Sequence, residues 1–259
     1  MHASLRLVVQ ALLVSALLFT ASSALGEEPE SPKAVLVTGA TSGIGLKITE
    51  RLASEGYFVY AGARKQEDID RLNKMDNVEA IRLDVTVQDD IDAAVQHVRD
   101  AGRGLWGIIN NAGVFIGGPI TDVSVDETIW LFDVNVFGVY RVTQAFAPLV
   151  IESKGRISTI GSISGIGSSR FFSQYSMSKH AIEAFTDSLA AEMTPLGVHV
   201  SVIEPGNYDS KIAESAWKRM EAKGYFSEDS LYAEQLKAFM ERPTDRSIYK
   251  EPDEVADAA

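Results

Sequence analysis

A chain of 259 residues, 46% hydrophobic and 23% charged, is long enough to bury one sizeable core. Its formal net charge of −12 has the wrong sign for a nucleic-acid-binding face, which needs a basic surface. It has no cysteine, which excludes disulfides, thiolate metal sites and a cysteine nucleophile, and its four histidines fall at no metal-ligand spacing.

The N-terminus stands apart. Residues 1–6 carry the positive charge of Arg6, residues 7–21 are apolar apart from one Gln among small polar residues, and Ala24-Leu25-Gly26 precedes two acids. That is the layout of a secretory signal peptide, and the apolar run is short for a spanning helix. Residues 1–26 are therefore expected to direct export to the periplasm or secretory pathway. The alternative is an uncleaved membrane anchor at residues 7–21, the only route by which this chain would meet a membrane. Residues 27–33 read as a linker, and residues 34–259 as one domain.

Residues 34–38 (AVLVT) form a short β-branched run, the mark of a strand buried on both faces. The turn Gly39-Ala40-Thr41-Ser42-Gly43-Ile44-Gly45 follows, and helical periodicity resumes over residues 46–55. Strand, glycine turn and helix in succession mark a dinucleotide site. Gly39 suits the tight turn, Gly43 a close approach to the pyrophosphate, and Gly45 the packing of helix on strand. Free N–H groups at the helix start would bind the phosphates. Residues 57–61 form the second strand, whose end should meet the adenosine ribose. An NAD site carries an acid there; this chain has Arg64 and Lys65, which suit a 2′-phosphate, so NADP(H) is the expected cofactor.

The alternation continues with a strand at 78–83 ending in Asp84-Val85-Thr86, a helix at 88–101, and a strand at 105–109 running into Asn110-Asn111-Ala112-Gly113. A long helix at 125–151 carries Asn135 among Val134, Val136 and Phe137, where a polar side chain needs partners. A strand at 155–160, a helix at 172–191 and a strand at 198–203 complete the pattern. Repeated strand–helix alternation predicts an α/β, doubly wound parallel sheet with ligands at the carboxyl ends of its strands.

Tyr175 and Lys179 lie four apart on the predicted helix at 172–191, hence on one face. A neighbouring ammonium favours the phenolate and draws a phenol's pKa down toward neutrality, making Tyr175 a candidate acid/base. Ser162, just past a strand end, is placed to polarise a substrate oxygen beside the phenol.

With these motifs in this order, the chain from about residue 33 onward resembles the short-chain dehydrogenase/reductase family. The matching residues are Thr38-Gly39-x-x-x-Gly43-Ile44-Gly45, Asp84, Asn110-Asn111-Ala112-Gly113, Asn135, Ser162, Tyr175, Lys179 and Pro205-Gly206. The resemblance implies a Rossmann fold and a catalytic tetrad of Asn135, Ser162, Tyr175 and Lys179. Tyr would be the acid/base, Ser would polarise the carbonyl, Lys would bind the nicotinamide ribose and depress the Tyr pKa, and Asn would hold a relay water. It places Asp84 at the adenine, Asn111 at the adenine-side strand ends and Pro205-Gly206 against nicotinamide, with Val85, Ala112 and Gly113 also in contact with the cofactor. The loop residues Thr41, Ser42 and Ile44 join the cofactor set. Ser210 stands where the family often has Thr and keeps the hydroxyl.

Residues 207–245 correspond to the family's substrate cover and are rich in large apolar residues, among them Trp217, Met220, Tyr225, Phe226, Leu231, Tyr232, Leu236, Phe239 and Met240. Short amphipathic helices there would form a lid over a lipophilic substrate, or would simply pack onto the domain. Residues 253–259 resemble the start of the family's last helix, so a further closing strand is expected to be missing. The expected activity is NADP(H)-dependent interconversion of an alcohol and its carbonyl, on a small-molecule substrate, with a homo-oligomer left open. An epimerase or dehydratase would carry a longer substrate domain. The other alternative is a non-catalytic dinucleotide sensor on the same fold.

Overall fold

The computed structural model describes residues 31–208, 212–225, 228–240 and 249–259. Within the unit Lys33–Ala259 the short β-branched runs become six strands: β1 (Ala34–Val37), β2 (Phe58–Ala63), β3 (Val78–Arg82), β4 (Gly107–Asn110), β5 (Arg156–Ile160) and β6 (His199–Ile203). All pair in parallel, in the order β3-β2-β1-β4-β5-β6. The chain therefore winds outward from β1 to one edge and returns to β4 to wind the other way. This is the doubly wound Rossmann arrangement, and the reversal between β1 and β4 opens a crevice at the carboxyl ends of those strands.

The strands are apolar on both faces because helices cover both. Leu36, Tyr60, Ile108 and Ile157 point to one side and meet helices α3 (Gln88–Asp100), α5 (Val139–Ser153) and α6 (Ser173–Met193). Val35, Val37, Val59 and Ile109 point to the other and meet α1 (Gly43–Ser54), α2 (Gln66–Leu72) and α9 (Asp253–Ala258). The remaining α-helices among the described residues are α4 (Val125–Phe132), α7 (Ile212–Ala222) and α8 (Ala233–Met240). Alternation of side chains along each strand is what divides the core in two.

Two elements differ from the sequence expectation, and a third, the expected C-terminal helix, is held by docking. Helix α2 was not expected; of its seven residues only Leu72 is buried, too few apolar positions to declare a period. The long helix is a continuous helical run from α4 to α5, but its middle, Asp133–Gly138, is a π-turn around Asn135. Helix α9 is short, yet it docks: Val255 and Ala256 are buried against the α1 face, and Asp257 pairs with Arg51 at 2.7 Å. Docking supplies what six residues cannot supply by propensity. The expected leader at 1–26, most of the linker and Ser210 lie outside the described residues, as do parts of 207–245.

Candidate active site

The glycine turn has the backbone its residues predict. Gly39 and Gly43 have φ of +64° and +55°, a region that side chains disfavour. Gly45 is required for a different reason: a Cβ there would lie 2.3 Å from Asn111 Nδ2 and 2.4 Å from the Gly39 carbonyl oxygen. Asn111 is locked against the turn, its Nδ2 donating to the carbonyls of Thr38 (2.8 Å) and Gly39 (3.1 Å). The backbone N–H groups of Asn111 and Ala112 donate to Thr38 Oγ1 at 3.0 and 2.9 Å. These bonds clamp β1 to β4 at the crevice. Ser42 begins α1 without capping it through its side chain, and the first turn holds no acid, so its N–H groups face the turn unclaimed by side chains. That geometry fits a dinucleotide's phosphates.

A brace that the sequence did not announce comes from α2. Arg71 donates to the Thr41 carbonyl at 2.7 Å and pairs with Asp68. It went unseen because α2 itself did. At the neighbouring strand ends, the Arg64 side chain is 70% exposed and stands 3.8 Å from Asp84. Asp84 in turn accepts from the backbone and hydroxyl of Thr86. Arg82 donates to the Arg64 carbonyl, so this cationic corner is held from β3.

Asn135 sits in the π-turn, 2% exposed. Its Oδ1 accepts from Val114 N (2.8 Å), and its Nδ2 donates to Val114 O (2.9 Å) and to Ser178 Oγ (3.2 Å). Both amide hydrogens are thus spent on protein. The expected relay water has no donor in this side chain, whose work here is to hold the loop after Gly113 against α6. Ser162 follows β5, with its Oγ accepting from Ser164 N at 3.1 Å. The turn at Pro205-Gly206 is tied to the same segment, Ile163 N donating to Pro205 O at 3.1 Å. The Ser162 side chain also hydrogen-bonds the Tyr175 phenol.

Lys179 is 7% exposed, with Nζ donating to the Ile160 carbonyl at 2.7 Å and standing 5.7 Å from the Tyr175 ring centroid. Burial pushes its pKa down to about 8, partly opposed by the Glu183 carboxylate one turn on. Glu183 is itself raised, by burial first and then by Glu204. The Tyr175 phenol corrects the sequence expectation. Burial raises its pKa and the Ser162 hydrogen bond lowers it, with burial the larger; Lys179 is not among the causes.

Phe115 packs edge-on to Tyr175 at 5.0 Å and against Phe172 at 5.1 Å, while Phe171 meets Tyr232 at 5.6 Å. Phe171 has φ of +70°, an uncommon backbone for a bulky side chain, and its carbonyl accepts from Gly118 N. Beside this aromatic wall, Ala216, Met220 and Tyr225 pack on Ile116, Val123 and Leu131, with Trp217 and Tyr175 at the margin. Leu231 points away, 81% exposed. The described site residues therefore converge at the carboxyl ends of β1, β4, β5 and β6, with Arg64 and Asp84 farther along the same edge.

Comparison with known proteins settles the lineage. A family model described as short chain dehydrogenase matches residues 33–221. The chain belongs to the short-chain dehydrogenase/reductase family. A mitochondrial D-beta-hydroxybutyrate dehydrogenase of Bos taurus is 38% identical over 191 residues, covering 70% of this chain and 56% of the relative. The chain thus spans little more than half the length of that short-chain dehydrogenase relative. Two solved structures share the fold. An actinorhodin polyketide ketoreductase with NADPH is 29% identical with a TM-score of 0.74, over 90% of each chain. A Burkholderia phymatum short-chain dehydrogenase/reductase in complex with NAD is 25% identical with a TM-score of 0.76, over 89% of this chain and 85% of that one.

Proposed function

We propose that this chain is an NADP(H)-dependent oxidoreductase that interconverts an alcohol and its carbonyl, acting on an apolar substrate. The observation that carries the reading is one arrangement: a partly buried Tyr175 beside Ser162, with buried Lys179 on the same helix face, across the sheet edge from the glycine turn. The cofactor would lie with its phosphates on Gly39, Thr41, Ser42, Gly43, Ile44 and Gly45. Its adenine would lie by Asp84, Val85, Asn111, Ala112 and Gly113, and its nicotinamide end by Tyr175, Lys179, Pro205, Gly206 and Ser210. When bound it supplies the hydride.

The chain's own groups supply the rest. The Ser162 hydroxyl hydrogen-bonds the substrate carbonyl oxygen, and the Tyr175 phenol gives that oxygen its proton as the carbon is reduced. A phenol held above its ordinary value is protonated at neutral pH, the form that reduction needs. Lys179 holds a positive charge near the phenolate left behind. Asn135 keeps the Val114 loop and α6 in register, so that Tyr175 is presented correctly. Arg64 and Lys65 read the 2′-phosphate as cations in place of the acid that an NAD site carries.

Phe115, Phe171, Phe172, Trp217 and Tyr232 favour an apolar substrate over a small carboxylate such as hydroxybutyrate. Arg219 of α7 and Lys223 just after it are both engaged with Glu127. The test is turnover of purified protein with NADPH and a panel of ketones and aldehydes, beside Tyr175→Phe. The variant should still bind NADPH while turnover falls about 10²–10⁴-fold. Full activity in the variant would remove Tyr175 from the chemistry.

A further inference from the structure

Ser124-Val125-Asp126-Glu127 has the form of a capping box, and Ser124 Oγ does accept from Glu127 N at 3.3 Å to begin α4. The carboxylate of Glu127, however, is spent elsewhere. Arg219 of α7 grips it with two bonds, Nε to Oε2 at 2.6 Å and Nη2 to Oε1 at 2.8 Å. Lys223, just past α7, adds a third contact at 3.2 Å. The Arg219 guanidinium also lies over the Trp130 ring of α4, its Cζ 3.6 Å from the centroid. Glu127 is only 6% exposed, so its charge is held out of water and depends on these partners. They outweigh the cost of burial and keep its carboxyl below the ordinary range.

A local cap does not need this arrangement, because a Gln at the same position closes a capping box equally well. What the charge adds is a 92-residue link from α4 to the helix covering the aromatic wall. We propose that Glu127 is the positioning residue of the substrate lid: its clasp on Arg219 and Lys223 holds α7 down over the face of Tyr175 and shapes the substrate site without touching substrate. The lid's apolar contacts run the same way, with Ala216 and Met220 seated on Ile116, Val123 and Leu131. A second, smaller tie, Ser230 to the Asp122 carboxylate, fastens the chain after α7 to the loop before α4. The role in substrate binding rests on Tyr175 being the reacting group; the clasp itself does not.

Glu127→Gln keeps the cap and removes the charge, so it isolates the clasp. The measurement is amide hydrogen exchange of dinucleotide-free protein by mass spectrometry, comparing peptides from residues 212–225 with peptides from β4 and β5. Exchange across 212–225 should accelerate about ten- to a hundredfold in Glu127→Gln, with the sheet peptides unchanged. Arg219→Lys, which keeps the charge but loses the fork, should fall between wild type and that variant, and it serves if Glu127→Gln folds poorly. The double variant Glu127→Gln with Arg219→Gln should be no looser than the more affected single. With a turned-over carbonyl in hand, KM should rise in Glu127→Gln while the NADPH dissociation constant stays within about twofold. Unchanged exchange at 212–225, or exchange raised equally in the sheet, would overturn the clasp. Loosened exchange with KM unchanged would overturn its role in positioning the lid. Loosened exchange in a protein that reduces no carbonyl would uphold the clasp and sink the reductase reading alone.

Discussion

Replacing Lys179 with Met should remove activity and yet cost the dinucleotide-free protein little or no stability at neutral pH. Lys179 is buried, and its pKa is pushed from 10.5 down to about 8, so holding its charge in the fold costs on the order of 3 kcal/mol at pH 7. Against that stands the bond from Nζ to the Ile160 carbonyl, whose loss leaves a buried acceptor unpaired at about 1–3 kcal/mol. The two nearly cancel, so the sign at one pH decides nothing. The pH dependence does decide. The folded-state value lies below the unfolded one, so the penalty is fully present below about pH 8 and fades as pH rises toward 10.5. The wild type should therefore gain on Lys179→Met by roughly 1 kcal/mol between pH 7 and pH 9. Urea unfolding of both proteins at the two pH values reads this as a relative shift in midpoint at constant slope. A stability difference that does not move between pH 7 and 9 would mean that Lys179 carries no buried charge, and the account of the site's electrostatics would fail with it.

Three further outcomes are expected. Gly45→Ala should weaken NADPH binding more than tenfold and lower the unfolding midpoint, since its Cβ meets the Gly39 carbonyl at 2.4 Å and overpacking of this kind costs about 1–3 kcal/mol; calorimetric titration and a thermal melt check both. Arg64→Ala should weaken NADPH binding about ten- to a hundredfold and NADH binding far less, and equal losses would show that the 2′-phosphate is read elsewhere. Fusing residues 1–33 to a reporter should export it, with the mature chain starting near Glu27 by intact mass; a retained Met1 in the membrane fraction would favour the anchor.

Most of the fold was legible because its strands are short β-branched runs between glycine-rich turns, and each turn sits where a parallel sheet binds ligands. What the residues could not declare were features set by contacts between distant segments. Helix α2 buries one side chain and owes its place to the sheet beside it. The π-turn follows from close approach: a Cβ on Gly138 would lie 2.6 Å from Val85 Cγ2, so the helix passes tight against the end of β3 at the point where Asn135 turns inward. The docking of α9 depends on two buried residues meeting a face of α1 more than 200 positions earlier. None of these has a periodic signature. The clasp at Glu127 was hidden in a different way, because a local motif explains the same residue and stops the search there.

The Tyr175 pair shows where spacing ceases to determine chemistry. Four residues on a helix do place phenol and ammonium on one face, and from that alone the phenol's pKa should fall. Burial reverses the result twice. It raises Tyr175 directly, and it pulls Lys179 down to about 8. The amide of Asn135, expected to hold water near this pair, is closed off by Val114 and Ser178. Burial thus keeps the proton on Tyr175 at neutral pH. In the proposed reaction that proton passes to the carbonyl oxygen as its carbon is reduced. How tightly the phenol holds its proton therefore follows from burial, a property carried by Phe115 and the lid around Tyr175 and by no spacing in the sequence.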